Sequence, residues 1–254
     1  MGNELAILGL GNMLYLEGMD LTLPQEKLVE EAFKRYAKIG LEKITLDEDY
    51  GPYSIRGKRD ERMMGYHGLN YGLSGTRRMQ RIIERPEVEA AVGVGFCGAL
   101  DPEMKKGDII IARNAAMSPY VIHSDQWKNK LAWGSADKEL ALAIGRKAED
   151  AGYDVRMGNI YTVINTASET PEFIEELKEG KFDGIEMETA ALYQLANAIN
   201  KPCAVILEVS DNQAKENGCN IKKRVQELID AGEHTRLAEI VREAMLETFK
   251  CEEQ

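Results

Sequence analysis

Asp183-Gly184-Ile185-Glu186-Met187-Glu188-Thr189-Ala190-Ala191-Leu192, followed by Val209-Ser210-Asp211-Asn212, is the stretch on which the reading of this chain turns. Ile185 closes a short apolar run that predicts a strand. Glu186-Met187-Glu188 predicts the opening of a helix running through Leu192, Leu195, Ala196 and Ile199. Ionised carboxylates in a first helical turn face the positive end of the helix dipole and are stabilised there. Lys201-Pro202 ends the helix, and the run Cys203–Val209 is apolar enough for a buried parallel strand. Asp211 is then expected just past the carboxyl end of that strand, where open α/β sheets bind ligands. A helix cap and a turn aspartate would explain any one of these acids. Three in this order point to a small polar ligand held between them.

Working outward, the rest of the chain alternates strands and helices. Glu4–Leu10 predicts a first buried strand and Pro24–Ile39 a helix. Leu41–Leu46 and Arg62–His67 read as extended, with a charged loop or hairpin between them over Asp47–Asp60. Ser74–Glu84 predicts a helix capped by Ser74, leading to a central strand over Val88–Val94. Asp108–Ala112 and Val155–Val163 predict further strands. Lys138–Ala151, closed by Gly152, predicts a helix, as do Pro171–Lys178 and Thr235–Phe249. The region 115–134, with His123 and Trp127, reads as irregular and could close over a site. The pattern predicts an α/β fold with a mostly parallel sheet, built as a single domain over residues 1–254.

Composition narrows the function classes. The chain has 254 residues, 44% hydrophobic and 30% charged, with a net charge of −11. That charge argues against a nucleic-acid backbone or an anionic membrane as partner. No apolar run approaches the roughly 20 residues that span a bilayer, and Leu5–Leu10 lacks the basic flank of a secretory signal. Cys97, Cys203, Cys219 and Cys251 show no metal-binding spacing, and three histidines are a poor basis for a metal site. A cytoplasmic protein without metal or cofactor is expected.

Two glycine patterns invite comparison. Gly9-Leu10-Gly11 lacks the third glycine of a dinucleotide fingerprint, since Leu14 stands in its place. Val92-Gly93-Val94-Gly95-Phe96-Cys97-Gly98-Ala99-Leu100 is expected as a glycine-spaced turn after the central strand, where backbone N–H groups can approach a ligand. Arg77, Arg78 and Arg81 could hold an anion or simply form a solvated helix face.

Gly95-Phe96-Cys97-Gly98-Ala99 with Lys106-Gly107-Asp108-Ile109-Ile110 resembles the nucleoside phosphorylase and nucleosidase superfamily. So do Met157-Gly158-Asn159, Gly184-Ile185-Glu186-Met187-Glu188-Thr189-Ala190-Ala191 and Val209-Ser210-Asp211, in the family's order. The resemblance implies a three-layer fold whose mostly parallel central mixed sheet is flanked by helices. It implies cleavage of an N-glycosidic bond, with Glu188 on the ribose hydroxyls, Glu186 assisting, Met187 against the sugar, and Asp211 as the acid at purine N7. Such an acid contributes about 10²–10⁴-fold, provided burial or neighbouring carboxylates keep it protonated near neutrality. Ile185, Cys97 and Gly98 line the implied substrate site.

Departures from the family pattern bear on the nucleophile. The arginine that holds phosphate after the first glycine turn is replaced by Asn12-Met13-Leu14-Tyr15, with Tyr15 nearest. A second phosphate arginine is replaced by Gly93, and the usual Ser or Thr before Cys-Gly by Phe96. Arg56 matches an arginine lent by a neighbouring subunit. Water is therefore favoured over phosphate, with Glu17 the candidate to activate it. Thr166 stands where relatives stack an aromatic ring, and Phe96 or Tyr161 could stack on the base instead. The expected enzyme releases the base from a purine-type nucleoside and assembles as a homodimer or homohexamer. A phosphorylase with a rebuilt anion site and a nucleoside-binding protein without turnover remain the alternatives.

Overall fold

Alternation along the first strand sets the layers. In β1 (Glu4–Gly9), Leu5 and Ile7 enter one apolar core while Ala6 and Leu8 enter another on the opposite face. The computed structural model describes residues 4–10, 42–46, 54–59, 62–69, 72–118, 130–164, 169–214, 227 and 236–250, with backbone alone at 42–46, 55, 68 and 72–74. The remaining strands are β2 (Glu42–Leu46), β3 (Ser54–Arg59), β4 (Arg62–Gly68), β5 (Val88–Ala99), β6 (Ile109–Met117), β7 (Ala132–Ser135), β8 (Val155–Thr162), β9 (Gly184–Glu186) and β10 (Cys203–Asn212). The helices are α1 (Gly72–Ile83), α2 (Lys138–Asp150), α3 (Pro171–Glu179), α4 (Thr189–Ala198) and α5 (Arg236–Thr248).

Strand order along the sheet is β10-β6-β8-β9-β5-β1-β4-β3-β2, with β7 on β6 and a further pairing of β10 with β5. That last pairing closes β5, β10, β6, β8 and β9 into a ring. Strand β5 makes the closure possible by its length: residues from Val88 to Val94 pair with β1, and Gly98 and Ala99 pair with β9. Helices α2 and α5 cover one face through Leu140, Ile144, Val241 and Met245. Helices α1 and α4 cover the other through Met79, Ile82, Leu192 and Tyr193. Helix α3, capped by Thr170 and started by Pro171, closes a smaller core with Tyr161, Phe182 and Ile185.

The mixed α/β architecture is as expected, but the sheet is not mostly parallel. Strand β1 is parallel to β4 and β5, β10 to β5, and β8 to β6 and β9. Against these, β2–β3, β3–β4, β5–β9, β6–β7 and β6–β10 are antiparallel. Short links explain part of this: only Asp60 and Glu61 separate β3 from β4, too few for a parallel crossover. The segment expected as a charged loop or hairpin accordingly contains β3.

Three boundaries also move. Gly95–Ala99 is strand, not turn, because β5 continues to Ala99. Its glycines serve packing: a Cβ at Gly95 would lie 3.0 Å from Leu10 Cβ and 3.3 Å from Leu207 Cδ2. Asp211 lies within β10 rather than beyond it. Helix α4 begins at Thr189, so Glu186 ends a strand and Glu188 is the cap residue.

Candidate active site

Strand register brings the site together. Asp211 of β10 lies opposite Gly98 of β5, Gly98 opposite Ile185 of β9, and Ile185 opposite Tyr161 of β8. Adjacent strands lie about 4.8 Å apart, so Asp211 and Ile185 are roughly 10 Å apart across the sheet. Glu186 and Glu188 follow directly on from Ile185. Asp211, Glu186 and Glu188 are all buried, at 4%, 6% and 4% exposure.

A bulge in β10 aims Asp211. The register with β5 shifts between Val209 and Asp211, leaving Ser210 as the extra residue. The Ser210 hydroxyl lies 3.2 Å from the Cys97 carbonyl and 2.5 Å from Asp211 Oδ1. Gln213 Nε2 donates to Asp211 Oδ2 at 2.7 Å. The strand is braced on both sides of the bulge. Gly107 N–H donates to the Val209 carbonyl, and Val209 N–H to the Asp108 carbonyl. Asn212 Nδ2 donates to the carbonyls of Asp101 and Met104 at 2.9 and 2.8 Å. Gly107, at φ 93°, makes the turn that this bracing requires.

Glu186 is engaged within the protein. Its Oε1 accepts from the Thr162 hydroxyl, while its Oε2 accepts from the N–H groups of Glu188 and Thr189 at 2.7 and 2.8 Å. Thr162 Oγ1 in turn accepts from Ala190 N–H at 2.9 Å. Glu186 and Thr162 thus satisfy three N–H groups at the start of α4, a need common to all helix N-termini. Burial pushes the Glu186 carboxyl above its ordinary range, and these donors pull it part of the way back. Glu188 makes no capping bond to its own helix. Met187 packs against the small core beside Ile185.

Glu169, not among the residues expected from the sequence, lies within electrostatic reach of Asp211. It precedes α3, and its carboxyl is pushed up to about 7 by burial and then by the charge of Asp211. Ser210, Gln213 and Thr162 were also missed. Thr162 meets Glu186 only because β8 and β9 are in register. Ser210 and Gln213 bond the neighbouring Asp211 through the local geometry of the bulge and the end of β10.

Several expected residues have other engagements. Arg56 forms an ion pair with the buried Glu4 of its own chain. Tyr161 packs edge-on against Phe173 and Phe182 at 5.4 and 5.3 Å, and burial raises its hydroxyl to about 12. Phe96 is half-buried against the core on the α2 and α5 face, and Cys97 is buried in the opposite core. Arg78 reaches Ser54 Oγ at 2.9 Å, whereas Arg77 and Arg81 are exposed. Glu17, Thr166, Tyr15, His123 and Trp127 lie outside the described residues.

With this geometry in place, comparison with known proteins is decisive for the family. A model described as the phosphorylase superfamily matches residues 49–245. The chain belongs to the phosphorylase superfamily. Membership makes it an enzyme of the nucleoside phosphorylase and nucleosidase class. It is 30% identical over 173 residues to a DeoD-type purine nucleoside phosphorylase of Bacillus velezensis, covering 65% of this chain and 71% of that one. Its fold matches that of a 5'-methylthioadenosine/S-adenosyl homocysteine nucleosidase of Campylobacter jejuni, with a TM-score of 0.70 and 17% identity over 95% of this chain and 100% of that one. Futalosine hydrolase of Helicobacter pylori gives a TM-score of 0.69 at 15% identity, over 98% and 100%. Among the described residues, no helix is long and apolar enough to cross a membrane, and no cluster of three or more His, Cys, Asp or Glu could hold a metal ion.

Proposed function

We propose that this superfamily member hydrolyses the N-glycosidic bond of a purine nucleoside. The observation that carries the reading is the row Asp211–Gly98–Ile185, which places a buried, doubly braced carboxyl about two strands from the residues leading into Glu188. A base against Asp211 and a ribose against Glu188 fit that span. In the reaction, the C1'–N9 bond breaks with both electrons passing to the base. The Asp211 carboxyl gives its proton to N7, so the base departs neutral. Glu188 accepts hydrogen bonds from the ribose hydroxyls and stabilises the cationic sugar. Water forms the new bond to C1' and releases a proton, which restores Asp211 to its acid form. Glu186 positions Glu188 by holding the start of α4, and Met187 lies against the sugar.

The surroundings of Gly93 support water as nucleophile. A Cβ there would lie 2.9 Å from Val205 Cγ2 and 3.1 Å from Leu10 Cδ1 and Leu192 Cδ2. A longer side chain at that position would crowd these three residues, which favours a site without an arginine there. Phosphorolysis is the second reading, favoured by the named purine nucleoside phosphorylase relative. Free-base release from adenosine, inosine, methylthioadenosine and uridine, with and without phosphate, separates the two. Phosphate-independent release, reduced at least about 10²-fold in Asp211→Asn, is expected. Strict phosphate dependence with a sugar 1-phosphate product would overturn hydrolysis.

A further inference from the structure

Gln213 follows the acid by two residues, and its side chain packs over Gly98 of β5. A Cβ on Gly98 would be 2.7 Å from Gln213 Cγ and 3.4 Å from its Nε2. The absence of a side chain at Gly98 therefore makes room for this amide. The backbone N–H of Gln213 donates to the Ala99 carbonyl at 2.9 Å, anchoring the residue, and its side-chain Nε2 donates to Asp211 Oδ2 at 2.7 Å. The amide oxygen, at the other end of the same rigid plane, makes no hydrogen bond among the described residues. The site thus offers two neighbouring functions, a carboxyl that carries a proton and a fixed carbonyl acceptor.

Purines differ along the edge that contains N7. Adenine presents the N7 acceptor beside a 6-amino donor, whereas 6-oxopurines present N7 beside a second acceptor. A proton donor adjoining a carbonyl acceptor complements the first pattern and opposes the second. The amide could serve a 6-oxo group only by flipping, which would turn its oxygen toward Asp211. That arrangement needs the Asp211 proton on Oδ2 as a donor to Gln213, and this is the proton that N7 requires.

We propose that Gln213 is the specificity-determining residue that selects 6-aminopurines, reading the 6-amino group through its carbonyl while holding Asp211 through its N–H. The inference rests on the glycosidic-cleavage reading for its kinetic test. A binding measurement tests it independently.

The experiment compares kcat/KM for adenosine and inosine in the wild type and in Gln213→Leu. The wild type should prefer adenosine roughly tenfold or more, as expected when a site hydrogen-bonds a group that the competitor lacks. Gln213→Leu should slow both substrates, since Asp211 loses a donor, and bring the ratio to within about threefold. A purely structural role for Gln213 would lower both rates and leave the ratio unchanged, which would overturn the proposal. Calorimetric titration of the wild type and of Gln213→Leu with adenine and with hypoxanthine supplies the second arm and needs no turnover. Tighter binding of adenine by the wild type, lost in the variant, supports the proposal. Equal or tighter binding of hypoxanthine by the wild type, or a preference unchanged in the variant, refutes it. Absence of base release from every purine nucleoside would instead count against glycosidic cleavage, with the base titration still deciding the role of Gln213.

Discussion

Glu186 and Glu188 lie two positions apart in the sequence, yet their environments assign them different work. Glu186 spends both oxygens on Thr162 and on the first N–H groups of α4. Removing it leaves buried donors unsatisfied, at about 1–3 kcal/mol each. Glu186→Ala should therefore lose about 2–4 kcal/mol of stability in urea denaturation. Glu186→Gln keeps an acceptor for the two N–H groups and should lose only about 1 kcal/mol. The opposite pattern is expected at Glu188, where Glu188→Gln should depress base release while moving the denaturation midpoint little. Equal midpoint losses at the two positions would refute this division of labour.

At the scale of elements, packing around Gly93 bears on whether an arginine could stand in the central strand. Gly93 lies where β5 passes between Leu10, β10 and α4, with Val205 and Leu192 in contact range of a built Cβ. Overpacking a core costs about 1–3 kcal/mol, and burying an unpaired guanidinium costs more. Gly93→Arg should therefore lower the thermal midpoint sharply, by the equivalent of at least about 3 kcal/mol, without conferring phosphate dependence. A stable variant that used phosphate would show that the packing yields and would undermine the argument from Gly93. The bulge at Ser210 is a second constraint at this scale, since it turns Asp211 toward the Gly98 face while Val209 stays in the core.

Across the whole molecule, two carboxyls should oppose each other in their effect on acid stability. Glu4 is fully buried at the start of β1, beside Arg56 of β3, His67 of β4 and Arg85 after α1. Burial alone would raise its carboxyl, but nearby His67, at 3.9 Å, and the charges of Arg56 and Arg85 bring it below its ordinary value. Its contribution is thus present above the unfolded carboxyl value and lost as pH falls through the lower folded value. Glu4→Gln should cost about 3–5 kcal/mol at neutral pH, because buried cations lose their partner, and should remove part of the acid sensitivity. Glu169 has the reverse sign. Its folded value of about 7 exceeds the ordinary 4.5, so its favourable term is full below 4.5 and is lost as pH rises to about 7. Denaturation midpoints measured across that window should decline with pH in the wild type and be flatter in Glu169→Gln. An unchanged slope would show that burial and Asp211 do not raise the Glu169 carboxyl.

The sequence by itself determined the α/β class, the family, and the order of the acids. Those features rest on local periodicity and on short runs such as Gly184–Ala191, which are legible in any context. The boundaries at Gly95–Ala99 and at Asp211 depend on the pairing of β5 with β9 and β10. Glycine alone does not reveal whether it bends a chain or makes room for a neighbour. Only the tertiary structure decided that Arg56 serves Glu4, that Glu186 holds a helix, that Gly93 is enclosed and that Gln213 braces Asp211. Arg56 with Glu4, Thr162 with Glu186 and the enclosure of Gly93 join separate elements through strand register and packing. The bonds of Glu186 to Glu188 and Thr189 and of Gln213 to Asp211 are local but need the backbone geometry that the folded sheet imposes.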